Sequence, residues 1–130
     1  MKVQDNEVKT STQGFKFVPE TEESVTKLIT RIRDDVAVGV DGINARILKD
    51  GKEIIVPILT KIINLSYEVN QFPDQLKIAV IKPIHKKDCT NTPANYRPIS
   101  ILPTISKVFE RSAYLNALMF VPRLLHLRNA

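Results

Sequence analysis

KIAVIKPIHKKDCTNTPANYRPISIL, residues 77–102, holds two apolar runs separated by a polar, basic loop. From Lys77 to Ile84 the apolar residues alternate, Ile78 and Val80 on one face and Ala79 and Ile81 on the other. A period of two is that of a β-strand, here buried on most of its length. Tyr96 to Leu102 returns as a second strand with Arg97, Ile99 and Ile101 sharing a face. The intervening loop, Lys86 to Asn95, is too polar for a core. Pro98 has no amide hydrogen to give to a ladder, so the second strand is expected at an edge or in an irregular pairing.

Working outward, helical spacing takes over on both sides. Upstream, Thr21 can cap a helix with Val25, Leu28, Ile29, Ile32 and Val36 on one stripe, ending near Asp35. Val38-Gly39-Val40-Asp41-Gly42 is a turn signal, followed by a short amphipathic segment Ile43 to Leu48 and a second stop at Asp50-Gly51. From Glu53 a longer helix carries Ile55, Ile58, Ile62, Leu65 and Val69 as its stripe. Pro57 is tolerable only in a first turn, which sets the start at Ile55 or Val56. Downstream of Pro103, Thr104 can cap a last helix with Ile105, Val108, Phe109, Leu115 and Met119 inward, and Pro122 stops it. The fold class is α+β, and because a lone two-stranded hairpin is marginal, the chain reads as part of a larger fold. Residues 1–17 read as a poorly ordered leader.

With 43% hydrophobic and 25% charged residues in 130, the composition is that of a globular domain rather than a disordered chain. Nineteen Lys+Arg against fourteen Asp+Glu give +5, a bias toward polyanions such as nucleic acid or nucleotide phosphates. The single cysteine, Cys89, excludes an internal disulfide framework and any multi-cysteine zinc site, and points to a reducing, intracellular setting. The start has no apolar core of a secretory signal, and Pro57, Thr60, Lys61 and Asn64 interrupt the longest apolar stretch, so no membrane partner is read.

Lys86 and Lys87 leave the first strand together and Arg97 lies just inside the second. If the strands pair, these charges converge on one end of the hairpin. A compact, mobile ammonium beside a planar guanidinium fork suits a triphosphate or a strand backbone. Spacing alone favours a solvated basic tip over an anion site.

The weighting changes with a resemblance. FPDQLKIAVIKPIHKKD followed by NYRPISILPTISKVFER, with GVDGINARILKD upstream, resembles the fingers region of reverse transcriptases of non-LTR, LINE-type, jockey-like retrotransposons. These motifs stand in the family's order over about residues 20–118. The resemblance implies the fingers subdomain of a right-hand polymerase fold over residues 18–120, with palm and thumb absent and a divergent tail over 121–130. It places Lys86 at the outer phosphates of the incoming dNTP and Arg97 at the phosphates nearer the sugar, an electrostatic and positioning role. Lys87 and Lys82 are secondary candidates for template or primer backbone contact. Asp41 and Gly42 shape their turn in a segment the family places near the template. The partners implied are an RNA or DNA template-primer, dNTP and the missing palm and thumb.

The chain departs from the family pattern at Leu76, where tryptophan is usual, and at Asp88, which stands directly after the lysine pair where glycine is usual. Polymerase chemistry needs carboxylates holding Mg²⁺. The family carries them in the palm, so no catalytic residue and no bound Mg²⁺ is expected here, and the fragment is expected to be inactive alone. Asp34-Asp35 imitates the palm's acidic pair but precedes the fingers motifs, and reads as a solvated helix end. His85 and His126 lack the companions of a metal site, while Tyr96, Phe72 and Phe109 read as core before base stacking. The alternative kept beside the polymerase fragment is a non-catalytic nucleic-acid-binding module or an inactive relic.

Overall fold

The computed structural model describes residues 14–128. Among them are α1 (Glu22–Thr30), α2 (Ala45–Asp50), α3 (Lys52–Val69), β1 (Val80–His85), β2 (Tyr96–Ile101) and α4 (Thr104–Arg128). The α+β class is as the alternating and helical patterns indicate. Among the described residues no helix is long and apolar enough to cross a membrane.

α1 begins where Thr21 accepts a hydrogen bond from the Ser24 amide, with Glu22 and Glu23 at the positive end of the helix dipole. It ends at Thr30, earlier than the apolar spacing suggests. Acids are unfavourable at a helix C-terminus, and here they leave the helix to pair sideways: Asp35 with Arg33 at 2.5 Å and Asp34 with Lys49 at 2.6 Å. Asn44 caps α2 through the Ile47 amide at 2.9 Å. Gly51 ends α2, and its carbonyl accepts at 3.0 Å from both Ile54 and Ile55, which starts α3 at Lys52. Pro57 therefore lies in the second turn rather than the first. One helix hydrogen bond is lost there, and the burial of Val56, Leu59 and Ile63 along the same face offsets it.

The core is a helical cluster: Val25, Leu28 and Ile29 of α1, Leu48 of α2, Val56, Leu59 and Ile63 of α3, and Val108 and Phe109 of α4. Phe72, just past α3, meets Phe109 edge-on at 5.5 Å. The face of α3 turned inward is the one the sequence reading did not choose. Ile58, Ile62, Leu65 and Val69 are exposed, because α3 is apolar nearly all round and periodicity cannot say which stripe a neighbour covers. Met119 is likewise exposed, beyond the part of α4 that α1 and α3 cover. α4 continues through Pro122 to Arg128 instead of stopping there.

The last leader residues are tied to the core. Phe17 stacks on Tyr67 at 4.2 Å, and Phe15 meets Phe120 edge-on. Asn64 accepts from the Glu20 amide at 2.7 Å and donates to the Glu20 carbonyl at 3.0 Å, while Asn116 accepts from the Val18 amide at 2.7 Å. The Glu20 carboxylate accepts from Ser112 at 2.6 Å. The rest of the leader, 1–13, lies outside the described residues.

β1 and β2 pair antiparallel from Val80 opposite Ile101 to His85 opposite Tyr96. They pack chiefly on each other. β1 is exposed along its whole length, contrary to the burial its apolar alternation suggests. Alternation reports two faces fit for burial, but here the helices cover neither. The first strand also starts two residues later than its apolar run, which begins at Ile78, since Asp74–Lys77 form a 3₁₀ turn. Pro98 sits opposite Pro83, so neither strand has an amide to lose at that rung.

Candidate functional site

The register decides which charges meet. Arg97 faces Ile84, and the Lys86 amide donates to the Asn95 carbonyl at 2.8 Å, carrying the ladder two residues past Ile84. Side chains two apart on a strand share a face. Arg97 and Lys86 thus stand on the same side, two rungs apart, at the turn end of the hairpin. They line one cavity of about 560 Å³ with Lys87, Asp88, Ile84 and Ile99. Arg97 and Lys86 are exposed, and none of Lys82, Lys86, Lys87 and Arg97 takes part in an ion pair among the described residues. Their charge is available to an outside anion.

The turn that presents these lysines is built. Asp88 has φ 67°, the left-handed conformation that glycine adopts without cost. Aspartate is among the few other residues that tolerate it, so the turn forms here without glycine. Asn95 donates its amide to Thr92 at 3.0 Å and its side-chain Nδ2 to the Cys89 carbonyl at 2.8 Å. Tyr96 donates its hydroxyl to the Thr90 carbonyl at 2.9 Å, and His85 meets the Tyr96 ring edge-on at 5.3 Å. Tyr96 is therefore neither core nor a free stacking platform, and its hydroxyl fastens the loop. Asn95 and Tyr96 escaped the sequence reading as site residues. Asparagine two residues after Pro93, directly before a strand, is the signal that could have found the first.

The other candidates are dispersed. Lys82 faces Ile99 on the same sheet side but is not part of the cavity wall. Asp41 and Gly42 form a turn at the opposite end of β2. Gly42 has φ 71° and donates to the Gly39 carbonyl at 3.2 Å, and Asp41 accepts from the Ile43 amide at 3.2 Å. Gly39 lies against the Leu102–Pro103 backbone, Thr104 donates to the Ile43 carbonyl at 2.7 Å, and Lys107 to the Ala37 carbonyl at 3.2 Å. This turn docks the α1–α2 connection onto the junction of β2 with α4, which orients the hairpin on the helices.

Asp34 and Asp35 do not form a metal centre. Each is held by a cation, and the Arg33 hydrogen bond keeps the Asp35 carboxyl below the usual range. Among the described residues no three His, Cys, Asp or Glu side chains are gathered as a metal-binding group, so the donor set does not fit the Mg²⁺ of polymerase chemistry.

Comparison with known proteins bears on the family. No family profile matches the chain. Over 88 residues it is 40% identical to the probable RNA-directed DNA polymerase from transposon X-element of Drosophila melanogaster. Over 92 residues it is 35% identical to the RNA-directed DNA polymerase from mobile element jockey, and over 90 residues 33% identical to the probable RNA-directed DNA polymerase from transposon BS, both of the same organism. The matches cover 67%, 70% and 68% of this chain and 10% of each relative. By sequence the chain belongs with the RNA-directed DNA polymerases. More narrowly, it is a partial counterpart of the reverse transcriptases of non-LTR retrotransposons, spanning about a tenth of the length of the curated relatives it matches.

Proposed function

We propose that residues 18–120 act as the fingers of a retrotransposon reverse transcriptase, contacting template and incoming dNTP, while the chemistry belongs to the palm of the complete enzyme. The observation that carries the reading is the convergence of Lys86 and Arg97, from two strands, on one cavity, with neither in an ion pair among the described residues. Arg97 grips phosphate oxygens with its planar fork and Lys86 follows the outer phosphates with a mobile charge. Both offset the charge of the triphosphate as it is brought to the primer end, and neither moves a proton. Lys87 and Lys82 hold the template or primer backbone. On this reading the fingers position substrate, and bond formation belongs to the palm carboxylates and their Mg²⁺.

The test is a graft of this chain's matching segment into the X-element polymerase. Arg97→Ala in the graft should raise the KM for dNTP by about 10- to 100-fold, the loss of a charge-assisted, bidentate contact. Lys86→Ala should raise it less, and Lys52→Ala, on the exposed start of α3, should leave it unchanged. Equal KM values for the Arg97 and Lys52 variants would leave the hairpin without a nucleotide role.

A further inference from the structure

Asp88 contributes the acid to a cavity otherwise lined by cations, apolar groups and amides. Its place along the hairpin is informative. Arg97 stands at the Ile84 rung, and Lys86 two residues nearer the turn, about 7 Å away at ordinary strand rise. Asp88 comes two residues beyond Lys86, where the chain reverses with φ 67°. The Asn95 bond to the Cys89 carbonyl holds the next residue, so the position of Asp88 is fixed by its own backbone and by its neighbour.

Two kinds of phosphate ligand meet this order differently. A terminal triphosphate reaches from Arg97 to Lys86 and ends there. A nucleic-acid backbone has no end, and a strand held by Arg97 and Lys86 carries its next phosphates toward the turn, where Asp88 presents its carboxylate. Like charge at that distance is repulsive, and specificity follows from the difference between the two affinities.

Resting on the triphosphate reading above, we infer that Asp88 is a specificity-determining residue that bars a continuous phosphate backbone from the Lys86–Arg97 site while admitting a terminal triphosphate. Its carboxylate acts more strongly on the competitor, whose phosphates continue past Lys86 toward the turn, than on the preferred ligand, which ends at Lys86. Glycine would adopt the same φ without this charge, so selectivity here comes from the side chain and the turn from the backbone.

The test titrates the full chain, at low salt, with sodium tripolyphosphate and separately with a short single-stranded oligothymidylate. Asp88→Asn removes the charge and keeps the turn, since asparagine tolerates the left-handed region at least as well. Oligothymidylate affinity should rise roughly five- to tenfold, with a steeper salt dependence, and tripolyphosphate affinity by less than about twofold. Asp88→Gly should do the same. A Lys86→Ala, Arg97→Ala double variant should lose tripolyphosphate binding. Equal gains for both ligands, or no gain for the oligonucleotide, overturn the role of Asp88 while leaving the site standing. Failure of the wild-type chain to bind tripolyphosphate, or binding indifferent to the double variant, overturns the site and this role together.

Discussion

Gly39→Ala tests the joint that sets the hairpin on the helices. A Cβ at Gly39 would stand 2.7 Å from both the Cα and the N of Pro103 and 3.0 Å from the carbonyl carbon of Leu102. Carbon atoms rest at about 3.5–4.0 Å, so something must move by close to 1 Å. The obstructing atoms are backbone at the junction of β2 with α4, and no side-chain rotation relieves them. The shift also strains the Thr104 bond to the Ile43 carbonyl, whose hydroxyl is fully buried. Overpacking costs about 1–3 kcal/mol, and loss of a buried hydrogen bond about 1 kcal/mol more. Destabilisation of about 2–4 kcal/mol is expected from urea denaturation followed by circular dichroism. Two glycines serve as controls. Gly14→Ala meets nothing within 4 Å and should be silent. Gly42→Ala also meets nothing, but at φ 71° it should cost about 1–2 kcal/mol from backbone strain alone. A Gly39→Ala chain within about 0.5 kcal/mol of wild type would refute the docking of the turn on Pro103.

The inward face of α3 is tested by adjacent isoleucines: Ile63→Ala, fully buried, should cost about 2–4 kcal/mol, and Ile62→Ala, 43% exposed, under about 1 kcal/mol. The reverse order would mean that the exposed stripe is the packed one. Stability should also depend on pH through three solvated ion pairs. Hydrogen bonds from Lys27, Arg33 and Lys77 hold the Glu23, Asp35 and Asp74 carboxyls below their usual values. Because the folded values are the lower ones, this stabilisation is present above the usual carboxylate pKa near 4 and is lost as pH falls below it. The urea midpoint should therefore drop by a small amount below about pH 4, and the drop should shrink in 1 M salt, since all three groups are fully exposed. A midpoint insensitive to acid in low salt would show that these pairs do not persist in solution.

The pieces that sequence patterns revealed best are those with short-range causes. Thr21 and Asn44 mark helix starts because their side chains reach amides three residues on. The strand pairing follows from two apolar runs around a polar loop, and it brings Lys86 and Arg97 together as the spacing suggests. What escaped was decided by neighbours distant in sequence. Which side of α3 is buried depends on where α1 and α4 lie, and Ile58 and Leu59 are equally apolar on paper. The exposure of β1 could not be read from alternation, which shows what a face is fit for and not whether anything covers it. Asn95, Tyr96 and Asp88 escaped for another reason. Their roles lie in loop carbonyls and a left-handed φ, which a polar stretch of sequence does not display.

The central claim is that the turn end of the hairpin is the phosphate site of a polymerase's fingers. An amide and side-chain NMR map of the full chain titrated with dTTP tests it most directly. The account predicts shifts at the Lys86, Lys87 and Asp88 amides and at the Arg97 guanidinium, fading as salt rises. It predicts none in the second, largely uncharged groove of about 530 Å³ between Ile62 and Lys77. Shifts confined to that groove, or spread evenly over every lysine and arginine of the surface, would contradict it.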